Sequence, residues 1–333
     1  MSKETLLHLN TNTLIGFTDK RGTAWHYRAD MQTEQNHYNG AIPVEDVRRR
    51  LFDWEPLVCE VRVTALTEDG VFDVTDPTRQ AIVHPTSHEV FGIFKKGYQV
   101  HSYEEWLLNK VVTILDADLA VGSAGLLKGG AQAWVQVEME DTLSVEGVEY
   151  RPFLTAATSL DGSLATTYVS GAQVVVCDNT LSAALGNYDG RVKIKHSRHS
   201  LGKINAVRDA LKIIHSTADA FSEQVQRLTA EQVSTDRWQR FLDEYAPLNA
   251  EMTARSQTMA ENKRDELWRL WRHDQRVAPW SGTAWGVVSA VNTWTHHMST
   301  VRGATRFDRN MDRVVTGEID ALDANTLKIL ARV

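Results

Sequence analysis

The stretch that decides the fold runs from Tyr150 to Arg208 and reads YRPFLTAATSLDGSLATTYVSGAQVVVCDNTLSAALGNYDGRVKIKHSRHSLGKINAVR. Its pattern of apolar and polar residues predicts three strands, at residues 150–159, 164–169 and 172–177. Asp161 and Gly162 are typical turn residues and separate the first two strands. Antiparallel strands of this kind predict an exposed sheet that leads into the segment after them.

Two further features follow within the same stretch. Asp178, Asn179 and Thr180 are best interpreted as a helix cap after the third strand. Residues 191–208 then contain six basic residues, two histidines and no acid. An acid-free basic segment beside a sheet predicts a platform for a polyanion.

The composition of the whole chain limits this interpretation. The 333 residues are 42% hydrophobic and 24% charged, which is typical of a globular protein, and the formal net charge is −7. Because a general polyanion binder is usually basic, any nucleic-acid surface must be local. Cys59 and Cys177 lie far apart, which predicts neither a disulfide framework nor a zinc cluster. The polar N-terminus and the lack of a long apolar run predict no membrane span and a location in the cytoplasm.

Outward from the central stretch, the pattern predicts an α+β class: an antiparallel β-sheet with a hairpin and packed helices, followed by a helical C-terminal region. Residues 1–40 are mostly polar and predict an extended N-terminal arm. Residues 41–202 form the α+β core, with a helix opened by Pro43, a half-buried strand at 57–65, and paired strands at 79–85 and 90–94.

The glycine-rich segment at residues 122–130 matches neither the P-loop nor the dinucleotide fingerprint. We therefore predict a loop between a helix and the next strand.

Residues 203–333 form the predicted helical region. Apolar residues recur at alternating spacings of three and four from Ile204 to Leu228, which is a heptad pattern. It predicts a long helix whose narrow seam is buried against another helix or another subunit. The tryptophans of the last third are more typical of packing than of base stacking.

The chain resembles phage- and plasmid-borne proteins that are grouped as a domain of unknown function. The stretches that carry this resemblance are Trp25, DWE at 53–55, VFG at 90–92, YQV at 98–100, GGAQAWVQ at 129–136, CDNTL at 177–181, IKHSRHS at 194–200 and GTAWG at 282–286. A more distant resemblance is to single-strand annealing recombinases, which include the Rad-type annealing proteins and the beta protein of the lambda Red system. That second resemblance implies a ring or filament that holds single-stranded DNA in a basic groove without ATP.

The candidate DNA-binding residues all lie in or next to the central stretch. They are Arg191, Lys193, Lys195, His196, Arg198, His199 and Lys203 for the phosphates, and Tyr168 for base stacking. The alternative is a solvated loop that leads into a helix. A second basic set at residues 263–276 is interleaved with acids, which favours ion pairs on a solvent face over DNA contact.

Other chemistry is poorly supported by the sequence. His196 with His199, and His296 with His297, lack the third and fourth ligands that a zinc site needs. No nucleophile elbow is present, and we recognise no catalytic motif. We predict no metal and no cofactor.

These observations favour a DNA-binding protein of a phage or plasmid that binds and anneals single strands as a homo-oligomer, a ring or filament, in a bacterial host cell. The alternative is a protein-interaction module of a mobile element, acting in host-defence modulation or phage assembly without DNA binding. An enzyme is the least favoured of the three classes.

Overall fold

Antiparallel strands occupy the first part of the chain and helices the last, which confirms the mixed α+β class. The computed structural model describes residues 12–21, 34–113, 115, 118–174, 179–182, 191–197, 200, 213–301 and 306–333. The strands are β1 (Thr13–Ile15), β2 (Leu57–Thr67), β3 (Gly70–Val83), β4 (Val90–Lys95), β5 (Leu119–Leu127), β6 (Gln132–Met139), β7 (Leu143–Val145), β8 (Val148–Ser159), β9 (Thr166–Val174), β10 (Asn179–Ser182) and β11 (Arg191–Ile194).

The longer helices alternate with short helical turns. They are α1 (Val44–Leu51), α2 (a π-helical segment Glu104–Asn109 continued by Lys110–Val112), α3 (Ile213–Ala230), α4 (Thr235–Tyr245), α5 (Ala254–His273), α6 (Ala284–Thr293), α7 (Arg306–Thr316) and α8 (Glu318–Leu330). In the described part of the chain, no helix combines the length and apolar character that a membrane span requires.

The chain divides into two compact units. The first comprises Met1–Glu140, Leu154–Val169 and Arg191–Lys212, and the second comprises Asp141–Phe153, Ser170–Gly190 and Ile213–Val333. Strands β8 and β9 therefore contribute residues to both units. Residues 141–153 and 170–190 belong to the second unit together with the helices.

Two sheets are built from the described strands. The larger has the order β1-β5-β6-β8-β9-β10, with β11 also paired to β9 and β7 to β8. The smaller has the order β2-β3-β4. The strand pairs β1–β5, β5–β6, β7–β8, β9–β10, β9–β11, β2–β3 and β3–β4 are antiparallel.

The predicted turn at Asp161 and Gly162 is present. Gly162 has φ +73°, and the Asp161 carboxylate accepts a hydrogen bond from the Ser163 amide at 2.9 Å. Beyond it, residues 166–169 and 172–174 of the strands predicted at 164–169 and 172–177 lie in one strand, β9, while residues 175–177 lie outside the described residues. The predicted break was wrong because Ser170 and Gly171, although frequent in turns, lie within β9, where Gly171 pairs with Ser182 of β10.

The helix cap predicted at residues 178–180 was also wrong. Asn179 and Thr180 begin β10, and they pair with Val174 and Gln173 of β9. Asp and Asn favour turns as strongly as helix caps, since both use the same local hydrogen bonds to the backbone. The sheet partner, which local sequence does not reveal, decides between the two.

Most of the glycine-rich segment is a strand and not the predicted loop; only residues 128–130 form a turn between β5 and β6. Residues 119–127 form β5, which pairs with β6. A Cβ at Gly125 would lie 2.0 Å from the ring of Trp134, and one at Gly122 would lie 2.2 Å from the carboxylate of Glu138. The glycines are therefore needed because large side chains of the neighbouring strand lie across them.

The described part of the predicted N-terminal arm belongs to the first unit. β1 pairs with β5, and Leu14 and Phe17 are buried. The guanidinium of Arg49 donates two hydrogen bonds to the Glu34 carboxylate, at 2.9 and 2.6 Å. Residues 1–11 and 22–33 lie outside the described residues.

The second unit has an aromatic core between its helices. Phe221, Val225 and Leu228 of α3 are buried, as the heptad pattern predicted, and Phe221 contacts Tyr150 of β8 and Trp285 of α6. The seam is thus covered by the same chain. Its N-terminal residues, from Ile204 to Leu211, lie outside the described residues.

Candidate nucleic-acid interface

Strand β11 and the residue that follows it carry two exposed lysines. It pairs antiparallel with β9, with Lys193 opposite Thr167 and Ile194 opposite Thr166. Ile194 is buried, while Lys193 and Lys195 are exposed. Lys193 lies on β11, and Lys195 directly follows the last residue of that strand. Among the described residues, neither lysine has a carboxylate partner.

The remaining basic candidates are only partly described. The backbone of Arg191 lies opposite Val169 in the β9–β11 ladder, but its side chain is outside the description. Arg198, His199 and Lys203 lie outside the described residues. Among the lysines and arginines predicted to contact phosphates, Lys193 and Lys195 are those whose side chains the structure describes.

Tyr168 does not fit the predicted role in base stacking. Its side chain is 0% exposed, and its hydroxyl donates a hydrogen bond to the Trp106 carbonyl at 2.5 Å. Burial also raises the pKa of the Tyr168 phenol. The prediction failed because alternation along β9 turns this ring toward α2, where no nucleobase has access.

His196 lies inside a column of stacked rings. The ring centroids are 5.0 Å apart for Tyr98 and His196, 4.1 Å for His196 and His101, and 3.8 Å for His101 and Trp106. Phe94 extends the column, with its ring stacked 4.0 Å from Tyr98. The column joins β4, α2 and the end of β11 within the first unit.

A chain of hydrogen bonds fixes both histidine rings. His196 Nδ1 lies 3.2 Å from the Gln99 carbonyl, which can only accept, so Nδ1 is the donor. His196 Nε2 lies 3.2 Å from the Thr158 hydroxyl, which lies 2.7 Å from the Thr166 hydroxyl. The Thr166 hydroxyl lies 2.6 Å from His101 Nδ1. Two hydroxyl groups therefore link the two imidazole rings.

The histidines of the column are neutral near pH 7. Burial, together with the nearby His196, lowers the pKa of His101 to about 3. Burial also lowers the pKa of His196. A neutral imidazole held between two rings offers no charge to a phosphate. We therefore assign His196 a structural role beside the lysines rather than the predicted phosphate contact.

The comparisons with known proteins bear on this region. A family model described as "Domain of unknown function (DUF932)" matches residues 90–315, about two thirds of the chain. The chain belongs to the DUF932 family. The predicted resemblance to proteins of unknown function is therefore confirmed at that level. No curated protein and no solved structure matches the chain.

The DUF932 match begins at β4, so it includes the ring column and β11 but excludes β2 and β3. Sequence spacing does not reveal the column, because four of its rings lie within residues 94–106 but the fifth, His196, comes from a distant segment. The only signal was indirect: YQV at 98–100 and IKHSRHS at 194–200 both carried the family resemblance.

The second basic set of the DUF932 region is paired with acids. Arg264 binds Asp243 at 2.6 Å, and Arg269 binds Glu266 at 2.6 Å. Lys263 lies between two aromatic rings, 4.1 Å from the centroid of Tyr245 and 4.7 Å from that of Trp294. These contacts agree with the interpretation that the set stabilises its own helices.

Metal chemistry finds no support in the residues that the structure describes. They contain no group of three or more His, Cys, Asp or Glu side chains placed to hold a metal ion. The rings of His296 and His297 are 6.4 Å apart and tilted, so the two side chains do not converge.

Proposed function

We propose that this DUF932 protein binds single-stranded DNA without ATP, as an oligomeric strand-annealing protein of a phage or plasmid in the cytoplasm of a bacterial host. The observation that supports it is the pair of exposed lysines, Lys193 and Lys195, without a carboxylate partner among the described residues. In a chain of net charge −7, such a pair marks a local surface for an anion.

The strand geometry suits a phosphodiester backbone better than a small anion. Two exposed lysines two residues apart in the chain can contact successive phosphates, whereas a single phosphate is usually surrounded by several donors at one point. A row of lysines neutralises successive phosphates and releases their counterions. The binding is therefore expected to be insensitive to base sequence and strongly dependent on salt.

The ring column supports the lysines by holding the end of β11. His196 directly follows Lys195 and is stacked on both sides, by Tyr98 and by His101. This restrains the backbone that carries Lys195. A restrained cation loses less conformational entropy when it binds a phosphate than one on a free loop.

The strand-annealing part of the proposal draws on the distant resemblance to annealing recombinases, which hold single strands on a sheet next to a long helix. The order of a β-hairpin, β11 and helix α3 agrees with that arrangement. Because fold analogy does not fix function, annealing needs its own assay.

The test is the fluorescence anisotropy of a labelled single-stranded oligonucleotide, titrated with the full chain at several salt concentrations, with unlabelled duplex as competitor. We expect binding that weakens as the salt concentration rises and that unlabelled duplex competes with poorly. Annealing of complementary strands would then be followed with the same protein. Absence of binding at low salt would contradict the proposal.

A second candidate function is a protein-interaction module of a mobile element. It is favoured by the exposed apolar side chains of β2, β3 and β4, which suit a protein partner. It predicts specific capture of a host or phage protein with no nucleic acid in the purified complex.

A further inference from the structure

Lys96 is an exposed cation that lies beside the candidate interface. It belongs to the turn that follows β4, where the Tyr98 amide donates a hydrogen bond to the Lys95 carbonyl at 2.9 Å. The ring of Tyr98 stacks on that of His196, with the centroids 5.0 Å apart. Because His196 directly follows Lys195, the turn after β4 and the end of β11 are neighbours within the first unit.

A hydrogen bond to the backbone joins the same two segments. His196 Nδ1 lies 3.2 Å from the Gln99 carbonyl. Lys195 is one residue from one end of this bond, and Lys96 is three residues from the other. Three residues of extended chain span at most about 11 Å, so one single strand of about four nucleotides can reach both lysines.

The backbone directs Lys96 to the side of the ring column. The Lys96 amide donates a hydrogen bond to the Thr78 carbonyl at 3.0 Å, so the antiparallel ladder between β3 and β4 continues through Lys96. Side chains alternate along such a ladder, which places Lys96 on the side of Phe94. The ring of Phe94 stacks on Tyr98 at 4.0 Å and so marks the side of the column. Lys95 lies on the opposite side of β4.

The charge around Lys96 favours an anion. Lys96 forms no ion pair with any residue that the structure describes. Two acids are close to the turn, and both have other partners. Hydrogen bonds from Thr78 lower the pKa of Asp76, with smaller contributions from Arg79, which lies 3.7 Å away, and from Lys96. Asp161 accepts a hydrogen bond from an amide of its own turn.

We propose that Lys96 is a third phosphate contact for the single-stranded DNA that Lys193 and Lys195 bind. The inference rests on the proposed function and extends its site from β11 to the turn after β4. The bound strand then passes the stacked pair of Tyr98 and His196, with Lys195 on one side of the pair and Lys96 on the other. Three lysines from two segments follow the path of one phosphate backbone.

The rings between the lysines leave no face for a base. Tyr98 is covered by Phe94 and by His196, and His196 is covered by Tyr98 and by His101. A base therefore cannot stack on either ring, and the strand is held here through its phosphates. Phosphate contacts carry no sequence information, so this part of the site has no base preference.

The test compares Lys96→Ala with Lys95→Ala in the full chain. The two residues are adjacent and exposed, and each substitution removes one positive charge, so Lys95→Ala is the matched control. With labelled oligo-dT, Lys96→Ala should weaken binding by up to about fivefold at low salt. It should also reduce the magnitude of the slope of log affinity against log salt by about 0.7, and oligo-dA should give the same loss. Lys95→Ala should leave affinity and slope unchanged.

A combined variant tests whether the three lysines hold one strand. Adding Lys96→Ala to Lys193→Ala with Lys195→Ala should reduce the slope by about 2.1 in total, because each lysine contributes about 0.7. Lys96→Arg retains the charge and should retain the slope. Since the substituted side chains are exposed, circular dichroism should show the wild-type fold for each variant.

The outcomes separate this inference from the proposed function. Equal losses in Lys95→Ala and Lys96→Ala would overturn the inference, because the effect would then be one of net charge. Full affinity and slope in Lys96→Ala would also overturn it, and the proposed function would stand if the Lys193 and Lys195 variant lost both. A wild-type chain that binds no single strand would overturn the proposed function, and the inference with it.

Discussion

The imidazole rings of His101 and His196 stack with their centroids 4.1 Å apart, although one follows β4 and the other follows β11. Each ring also has an aromatic neighbour on its outer face, Trp106 for His101 and Tyr98 for His196. Two stacked imidazoles cannot both carry a proton without repulsion, and burial disfavours even one. The first unit therefore depends on both rings being neutral.

This dependence predicts that stability falls in mild acid. The ordinary pKa of histidine is 6.5, and burial lowers that of His101 to about 3. Between these values the unfolded chain holds a proton at this position that the folded chain lacks. The free energy of unfolding should therefore decrease by about 1.4 kcal/mol per pH unit as the pH falls below 6.5, and the loss is complete below pH 3.

His101→Phe keeps a ring for stacking but cannot be protonated. We expect its unfolding free energy, measured with urea at pH 7, 6 and 5, to show a shallower pH slope than that of the wild type. His273→Gln removes an exposed histidine and should leave the slope unchanged. Parallel pH curves for wild type and His101→Phe would contradict the prediction.

Because the Tyr168 hydroxyl is buried, we expect its removal to lower the stability of the protein without changing its affinity for DNA. Tyr168→Phe removes the hydrogen bond to the Trp106 carbonyl and leaves a buried acceptor, which should cost about 1 to 3 kcal/mol. Because the ring is not accessible, affinity for single-stranded DNA should not change. Urea unfolding and anisotropy measure the two effects, and a loss of affinity in a fully folded variant would show that the Tyr168 hydroxyl matters for DNA binding.

Local signals predicted those parts of the fold that depend on neighbours in sequence. The helix after Pro43 and the turn at Gly162 both follow from local chemistry within a few residues. At the turn, for example, the Asp161 carboxylate accepts a hydrogen bond from the Ser163 amide at 2.9 Å.

The failures occurred where a distant partner decides the structure. Gly125 lies in a strand because Trp134 lies across it, and Asn179 lies in a strand because β9 pairs with it. The alternation of β2 was predicted correctly, yet its apolar side is exposed rather than half-buried, since period alone does not say what covers a face. Similarly, the acid-free segment pointed to Lys193 and Lys195 but not to the ring column behind them.

Gly125 offers a direct test of close approach between β5 and β6. In Gly125→Ala the new methyl would meet the Trp134 ring at 2.0 Å, which requires the ring or the strand to shift. Overpacking of this kind should cost about 1 to 3 kcal/mol. Gly97→Ala, where nothing lies within 4 Å, is the control and should be neutral within error. Thermal unfolding compares the two, and equal stability would mean that the ring has room to move.

Among the arginines of α5, we expect substitution of Arg264 to cause the largest loss of unfolding free energy. Its guanidinium donates to the carbonyls of Leu242 and Ala246 at the end of α4 and to the carboxylate of Asp243. Arg264→Met should lower the unfolding free energy by about 1.5 to 3 kcal/mol, because charged donors at a helix C-terminus are lost.

Arg269→Met is the matched substitution on the same helix. Arg269 binds Glu266 at 2.6 Å in an exposed pair, for which a loss of about 0 to 1 kcal/mol is expected. Denaturant unfolding of the Arg264→Met and Arg269→Met variants under one set of conditions compares their losses of unfolding free energy. Similar losses would mean that the contacts to α4 do not stabilise the second unit.

Lys193 and Lys195 give the prediction on which the DNA interface depends. Each lysine that neutralises a phosphate of a single strand contributes about 0.7 to the slope of log affinity against log salt. Lys193→Ala with Lys195→Ala should therefore weaken binding and reduce the magnitude of that slope by about 1.4. The preference for single-stranded over duplex DNA should not change, because it depends on the rest of the surface. Arg255→Ala with Lys328→Ala removes two exposed charges of the second unit and is the matched control. If both double variants lose affinity and slope equally, the effect is one of net charge, and β11 is not the interface.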